Sequence, residues 1–180
     1  MTDLEKQIKD VVRTVADWPE KGVMFRDITP IFQHPKVLRA AFDAFIQRCK
    51  EKNVTVIAGV DARGFLLGVT VACELGIPFV PVRKKGKLPW KTISEEYALE
   101  YGTAAVELHE DACGKGDRVA IFDDLIATGG TMIAAANLVR RLGAEVVEGM
   151  AIIDLPDLGG KTRIEKAGIP VFALCKFEGH

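Results

Sequence analysis

Val119-Ala-Ile-Phe-Asp-Asp-Leu-Ile-Ala-Thr-Gly-Gly-Thr-Met132 is the stretch that decides the fold. Val119 to Phe122 is short and wholly apolar, the pattern of a strand buried on both faces. It ends in two adjacent carboxylates, Asp123 and Asp124. A loop of small residues follows, Ala127-Thr128-Gly129-Gly130-Thr131, and Thr131 to Leu142 then reads as a helix stopped by Gly143. In an open α/β sheet, ligands gather at the carboxyl ends of the strands. A helix that starts there aims unpaired backbone N–H groups and the positive end of its dipole into the crevice, which suits a phosphate. The carboxylates would repel that phosphate but accept hydrogen bonds from hydroxyl groups. A phosphate on the loop and a diol on the carboxylates describe a ribose 5-phosphate. The stretch lacks the lysine of a Walker A loop and the Gly-x-Gly-x-x-Gly of a dinucleotide site.

Working outward, strands and helices alternate. Val54 to Val60, Phe79 to Val82, Val146 to Ile153 and Val171 to Leu174 are apolar runs of strand length. Phe65 to Leu75 is helical and ends at Gly76, and a short helix separates the last two strands. Alternation of this kind implies a mostly parallel central sheet flanked by helices. Nearer the N-terminus, Leu4, Ile8, Val11, Val12 and Val15 recur at helical spacing up to Trp18-Pro19. A loop containing Gly22 and Pro30 follows, and Pro35 opens a second helix at its first turn. Lys84 to Thr92 reads as a basic loop, and Leu88 to Gly102 is long enough for a lid.

The 180 residues suit one domain, and 48% hydrophobic residues supply an ample core. With 24 Lys and Arg against 25 Asp and Glu, a nucleic-acid partner, which needs a basic face, is not expected. No apolar run reaches membrane-spanning length, and Met1 to Asp10 has no signal core. Cys49, Cys73, Cys113 and Cys175 lack metal-ligand spacing and read as reduced structural thiols in a cytoplasmic protein. His34, His109 and His180 do not cluster. Asp154 reads as a turn cap, and Gly159-Gly160 as a loop feature.

Two further segments bear on a phosphate ligand. Val60-Asp61-Ala62-Arg63-Gly64 closes one strand and opens a helix, with an arginine whose fork of donors matches phosphate oxygens. Arg83-Lys84-Lys85-Gly86-Lys87 puts four cations in five residues. On its own it reads as a solvated basic loop; after a strand end it becomes a candidate pyrophosphate clamp.

Val119 to Met132 resembles the phosphoribosyl pyrophosphate (PRPP) signature of type I phosphoribosyltransferases. Gly22-Val-Met-Phe-Arg-Asp-Ile-Thr-Pro30, Asp61-Ala-Arg-Gly-Phe65, Lys85-Gly-Lys-Leu-Pro89 and Leu99-Glu-Tyr-Gly102 are similar to the adenine-specific branch, in its order and over nearly the whole chain. The resemblance implies a type I phosphoribosyltransferase fold with an N-terminal hood over residues 1–35 and a flexible loop over 84–104. It implies transfer of phosphoribose from PRPP to adenine, giving AMP and pyrophosphate in purine salvage, by a homodimer using Mg²⁺ bound through PRPP and not by direct protein ligands. Asp123 and Asp124 would hold the ribose hydroxyls, and Ala127 to Thr131 the 5-phosphate. Asp61, Ala62, Arg63, Arg83, Lys84 and Lys87 would meet the pyrophosphate, with Arg83 and Lys84 reaching the partner subunit's site and Lys87 on the mobile loop. Many relatives have serine where this chain has Ala62, and the Asp61–Ala62 peptide is often strained or cis. Phe25 and Leu155 would sandwich adenine, and backbone groups around Met24 and Arg26 would read its edge. Glu100 occupies the position of a general acid/base at adenine N7, Tyr101 that of its neighbour in the closed loop, with Arg63 and Lys87 assisting departure of the pyrophosphate. Without the resemblance, Glu100 is one acid among Glu95 and Glu96, and Phe25 is equally a core residue.

Three other readings compete: transfer to guanine, hypoxanthine, xanthine or orotate; a non-catalytic PRPP sensor; and an α/β protein holding some other sugar phosphate.

Overall fold

The computed structural model describes residues 2–98 and 102–179. Helix α1 (Asp3–Val11) is N-capped by Thr2, whose hydroxyl accepts the Glu5 N–H at 3.1 Å. The helix stops four residues short of Val15. Val12 is already extended, and Arg13–Ala16 forms strand β1, antiparallel to β2 (Met24–Asp27) with Val15 opposite Phe25. The spacing of Leu4 to Val15 fitted one helical face, but β-branched Val12, Thr14 and Val15 are equally at home in a strand. The expected loop up to Pro30 therefore holds a strand and then a 3₁₀ turn, Thr29–Gln33. Pro35 opens helix α2 (Pro35–Glu51) as expected.

The main layer is a seven-stranded sheet. Strand β3 (Val56–Val60) is buried throughout and leads into helix α3 (Arg63–Leu75), which ends on the left-handed Gly76. Strand β4 (Phe79–Lys84) follows, then the antiparallel pair β5 (Thr92–Ala98) and β6 (Thr103–His109). Strand β7 (Arg118–Ile126), helix α4 (Gly130–Arg141), strand β8 (Glu145–Asp154), helix α5 (Gly160–Lys166) and strand β9 (Val171–Lys176) complete it. The order is β5-β6-β4-β3-β7-β8-β9. Strands β4, β3, β7, β8 and β9 are parallel, and β6 and β5 add an antiparallel edge.

Strand β5 corrects the reading of Leu88 to Gly102 as one loop. Its polar composition hid a period of two. Ile93, Glu95 and Tyr97 turn inward, while Ser94, Glu96 and Ala98 face solvent. The inward Glu95 accepts from Asn137 of α4 at 3.0 Å and lies 3.3 Å from Arg141. The hairpin edge is thus docked on the helix that starts at the Thr-Gly-Gly-Thr loop.

Two apolar layers cover the sheet. Phe45, Leu67, Phe122 and Ile152 pack with α1, α2 and α3; Val119, Ile121, Leu138 and Ile164 pack with α4 and α5. Cys49 and Cys175 are buried free thiols, pushed up by burial to about 12, whereas Cys73 is exposed on α3, contrary to the expectation of a buried helix position.

Candidate active site

Parallel strands bring their carboxyl ends to one edge, and the chemistry converges there. A cavity of about 580 Å³ is lined by the hood residues Met24, Phe25 and Arg26, by Asp61 and Arg63 after β3, by Lys84 at the end of β4, by Asp123 and Asp124 of β7, by Ala127, Thr128, Gly129 and Thr131 before and within α4, and by Leu155 after β8. Segments more than a hundred residues apart in sequence thus meet in one volume of the size expected for a small-molecule site.

Strand β7 runs on through Ile126, so the two aspartates lie inside its second half and not beyond its end. Pairing of Asp123 with Ala151 and of Ile126 with Asp154 on β8 keeps this segment regular. Asp124 is 5% exposed, and its Oδ2 has no aligned hydrogen-bond donor among the described residues. Arg63 Nε lies 2.8 Å from that same oxygen, a charge pair without hydrogen-bond alignment. A buried carboxylate oxygen in this condition is open to a hydroxyl donor. Asp123 Oδ1 accepts the Asp124 N–H at 2.8 Å. Enclosure by the protein, and then the neighbouring Asp124 charge, raise the Asp123 carboxyl well above the usual carboxylate range.

The approach of Arg63 to Asp124 depends on Gly64. A Cβ there would collide with the backbone oxygen of Phe122, so α3 starts against β7 at a distance only glycine allows. The peptide Asp61–Ala62 is cis. The Arg63 guanidinium also lies 5.6 Å from the Phe25 ring centre, and Trp18 meets Phe25 edge-on with ring centres 4.3 Å apart. Phe25 thus lines the cavity with a cation and an indole against it. Leu155, 8% exposed, is the apolar wall from β8.

Not every expected residue reaches the cavity. Ala62 is exposed and does not line it. Gly130 opens α4 beneath Tyr97, whose Cδ2 would be 3.1 Å from a Cβ there. Lys87 is exposed, and Arg83 turns to Asp61 Oδ2 (3.0 Å) and to the Lys87 carbonyl (3.0 Å). The Arg26 side chain leaves the cavity to its backbone. It donates to Thr14 Oγ1 at 2.5 Å and to the carbonyls of Glu178 and Gly179 at 3.0 and 2.9 Å. Glu100 and Tyr101 lie outside the described residues. Asp154 caps no turn: it is the last residue of β8, 2% exposed, and burial raises its pKa. Gly160 is more than a loop feature, because it opens α5 in direct apposition to the Ala127 carbonyl and so braces the Thr-Gly-Gly-Thr loop.

Sequence reasoning missed Tyr97, Leu158, Val60 and Val106, which also line the cavity. Tyr97 had a signal, the alternation through Ile93, Glu95 and Tyr97. The others are apolar residues whose position only the assembled sheet reveals.

Comparison with known proteins identifies the family. The phosphoribosyl transferase domain family matches residues 27–168. The chain is 58% identical over 178 residues to the adenine phosphoribosyltransferase of Cupriavidus taiwanensis, covering 99% of this chain and 94% of the relative. The solved adenine phosphoribosyltransferase of Thermoanaerobacter pseudethanolicus superposes with a TM-score of 0.91 at 42% identity, over 96% of this chain and 99% of the other. That of Saccharomyces cerevisiae, complexed with adenine and an imino-altritol bisphosphate, superposes at 0.90 with 36% identity, over 97% and 99%.

Proposed function

From the premise that the chain belongs to the adenine phosphoribosyltransferase family, an enzyme family with the type I phosphoribosyltransferase fold, we propose how its residues divide the transfer of phosphoribose from PRPP to adenine. The products are AMP and pyrophosphate. The observation that carries the assignment is a single cavity holding paired carboxylates, a glycine-rich helix start and two apolar walls.

The 5-phosphate sits on Ala127 to Thr131, where free N–H groups and hydroxyls of the α4 start meet it. Asp123 and Asp124 accept the ribose hydroxyls, and Asp124 Oδ2, which has no hydrogen-bond donor among the described residues, is one acceptor. Arg63 and Lys84 line the same cavity and meet the pyrophosphate, with Asp61 and Ala62 shaping the loop beside it. Arg83 and Lys87 act from the neighbouring turn. Positive charge develops on the ribose ring as pyrophosphate departs, and fixed cations stabilise the leaving group. Adenine lies between Phe25 and Leu155, its edge read by backbone groups at Met24 and Arg26. Glu100 moves the base's proton, and Tyr101 orders the loop above it. That segment, which follows β5 in sequence, would close over PRPP to exclude water.

Mg²⁺ would be carried in on PRPP, held by the oxygens of that substrate and not by direct protein ligands. Bound there, the ion would neutralise charge on the pyrophosphate. A homodimer is supported by the outward face of α3, where Leu66 (51% exposed), Val69 (48%) and Cys73 form an apolar stripe. A cytoplasmic location is supported by four unpaired cysteines. Among the described residues, no helix is long and apolar enough to cross a membrane.

The test is pyrophosphate release from PRPP and Mg²⁺ with each base offered separately. Release with adenine alone is expected. Release with hypoxanthine or guanine would overturn the base pocket, and PRPP binding without release for any base would overturn catalysis.

A further inference from the structure

Glu107 has no role in the assignments above, yet it is buried in the middle of β6. Its neighbours Val106 and Leu108 are core residues, and Glu107 itself is 7% exposed. A carboxylate so enclosed is costly unless a donor meets it. The donor is the backbone N–H of Gly86, 2.9 Å from Oε2.

Gly86 is the third residue of the turn Lys84-Lys85-Gly86-Lys87. The Lys87 N–H closes that turn on the Lys84 carbonyl at 3.1 Å, and Gly86 has φ +78°. A type II turn needs such a left-handed third residue. The Lys85 N–H adds a bond to the Ala105 carbonyl of β6 at 3.0 Å. Arg83, paired with Glu107 in the β4–β6 register, holds the turn at its exit by donating to the Lys87 carbonyl, and through Nε it also reaches Asp61. The turn is thus fixed at its centre by a carboxylate and at its exit by a guanidinium, which ties it in turn to the loop carrying Arg63. Three of the turn's four residues are lysines, whose mutual repulsion would splay an unsupported turn. Lys84 is the one that lines the cavity.

We infer that Glu107 is a positioning residue for the pyrophosphate half of the reaction. By holding the Gly86 N–H it sets the turn from which Lys84 reaches the leaving group. The inference rests on the reading that Lys84 meets pyrophosphate.

Steady-state kinetics with PRPP and adenine varied in turn, and inhibition by pyrophosphate, test it on the full-length enzyme and its Glu107→Ala, Glu107→Gln and Lys84→Ala variants. Glu107→Ala is expected to raise the KM for PRPP and weaken pyrophosphate inhibition about tenfold or more, the effect of losing one hydrogen bond to a charged group. The KM for adenine should stay near that of the parent. Glu107→Gln should restore most of the loss, because its amide oxygen still accepts the Gly86 N–H. Equal weakening toward both substrates with no rescue by Gln would make Glu107 a general stabiliser and overturn the inference. An unchanged Glu107→Ala beside an impaired Lys84→Ala would overturn it while leaving the pyrophosphate reading intact. An unchanged Lys84→Ala would remove that reading, and this inference with it. Should Glu107→Ala not fold, Glu107→Asp, one methylene too short to reach Gly86, makes the same comparison.

Discussion

Arg63 Nε and Asp124 Oδ2 lie 2.8 Å apart across the cavity, charge against charge without hydrogen-bond alignment. The cation proposed to meet pyrophosphate thus rests on a carboxylate proposed to meet ribose. PRPP offers each a better partner: hydroxyls for Asp124 and phosphate oxygens for Arg63. Binding exchanges one internal ion pair for two external sets of hydrogen bonds.

Asp124→Asn keeps the shape of the side chain but halves its acceptors and releases Arg63. The expected result is an intact fold with kcat/KM for PRPP reduced by at least about tenfold, roughly 1.4 kcal/mol. Circular dichroism and steady-state kinetics check the two halves.

Asp123 has a carboxyl raised well above its ordinary 3.8, first by enclosure and then by Asp124. The folded chain therefore keeps this proton after the unfolded chain has lost it. That contribution to stability is fully present below 3.8 and is lost as pH rises through the folded-state value. Ligand-free Asp123→Asn should melt higher than the parent at neutral pH, and the two should converge in acid. Thermal melts across a pH series measure this; parallel melting curves for the two proteins would refute it.

Gly64→Ala drives a methyl group into the Phe122 carbonyl, which is backbone and has little room to yield. A loss of about 1–3 kcal/mol in stability is expected, as for overpacking elsewhere. Because α3 must shift, Arg63 moves with it, and PRPP use should fall further than stability alone explains.

Leu66→Glu places a charge on the exposed apolar stripe of α3. Monomer stability should change by no more than about 0.5 kcal/mol, as is usual for a surface site. Sedimentation should show dissociation, with loss of activity if Arg83 serves the partner's site. Maleimide labelling of Cys73 should rise in the dissociated protein.

Glu100→Ala should lower kcat by roughly 10²–10⁴-fold, the range for a lost general acid or base, with less effect on adenine binding. An unchanged kcat would remove that assignment.

The buried strands and the helices ended by Gly76 and Gly143 were legible because long apolar runs and helix stops are local signals. So was the cluster from Asp123 to Thr131, whose residue types have few uses together. The ribbon Arg13–Ala16 with Met24–Asp27 was hidden, because its strands are stabilised by pairing with each other and not by composition. Strand β5 was hidden by Glu95, an inward acid whose partners, Asn137 and Arg141, are more than forty residues away. Arg83 and Lys87 were read from a run of charge after a strand end and from the family resemblance. Sequence could not reveal that Arg83 is engaged with Asp61 or that the turn behind it depends on Glu107.

Arg26 joins the hood to the carbonyls of residues 178 and 179, a separation of about 150 positions. The matched domain spans residues 27–168, so both partners of this clasp lie outside it. The residues proposed for the sugar phosphate, Asp123 to Thr131, lie within that domain, whereas Phe25, one proposed wall for the base, adjoins a clasp that closes like a buckle outside it. A change at Arg26 would therefore loosen the hood beside Phe25 without altering any residue of the matched domain.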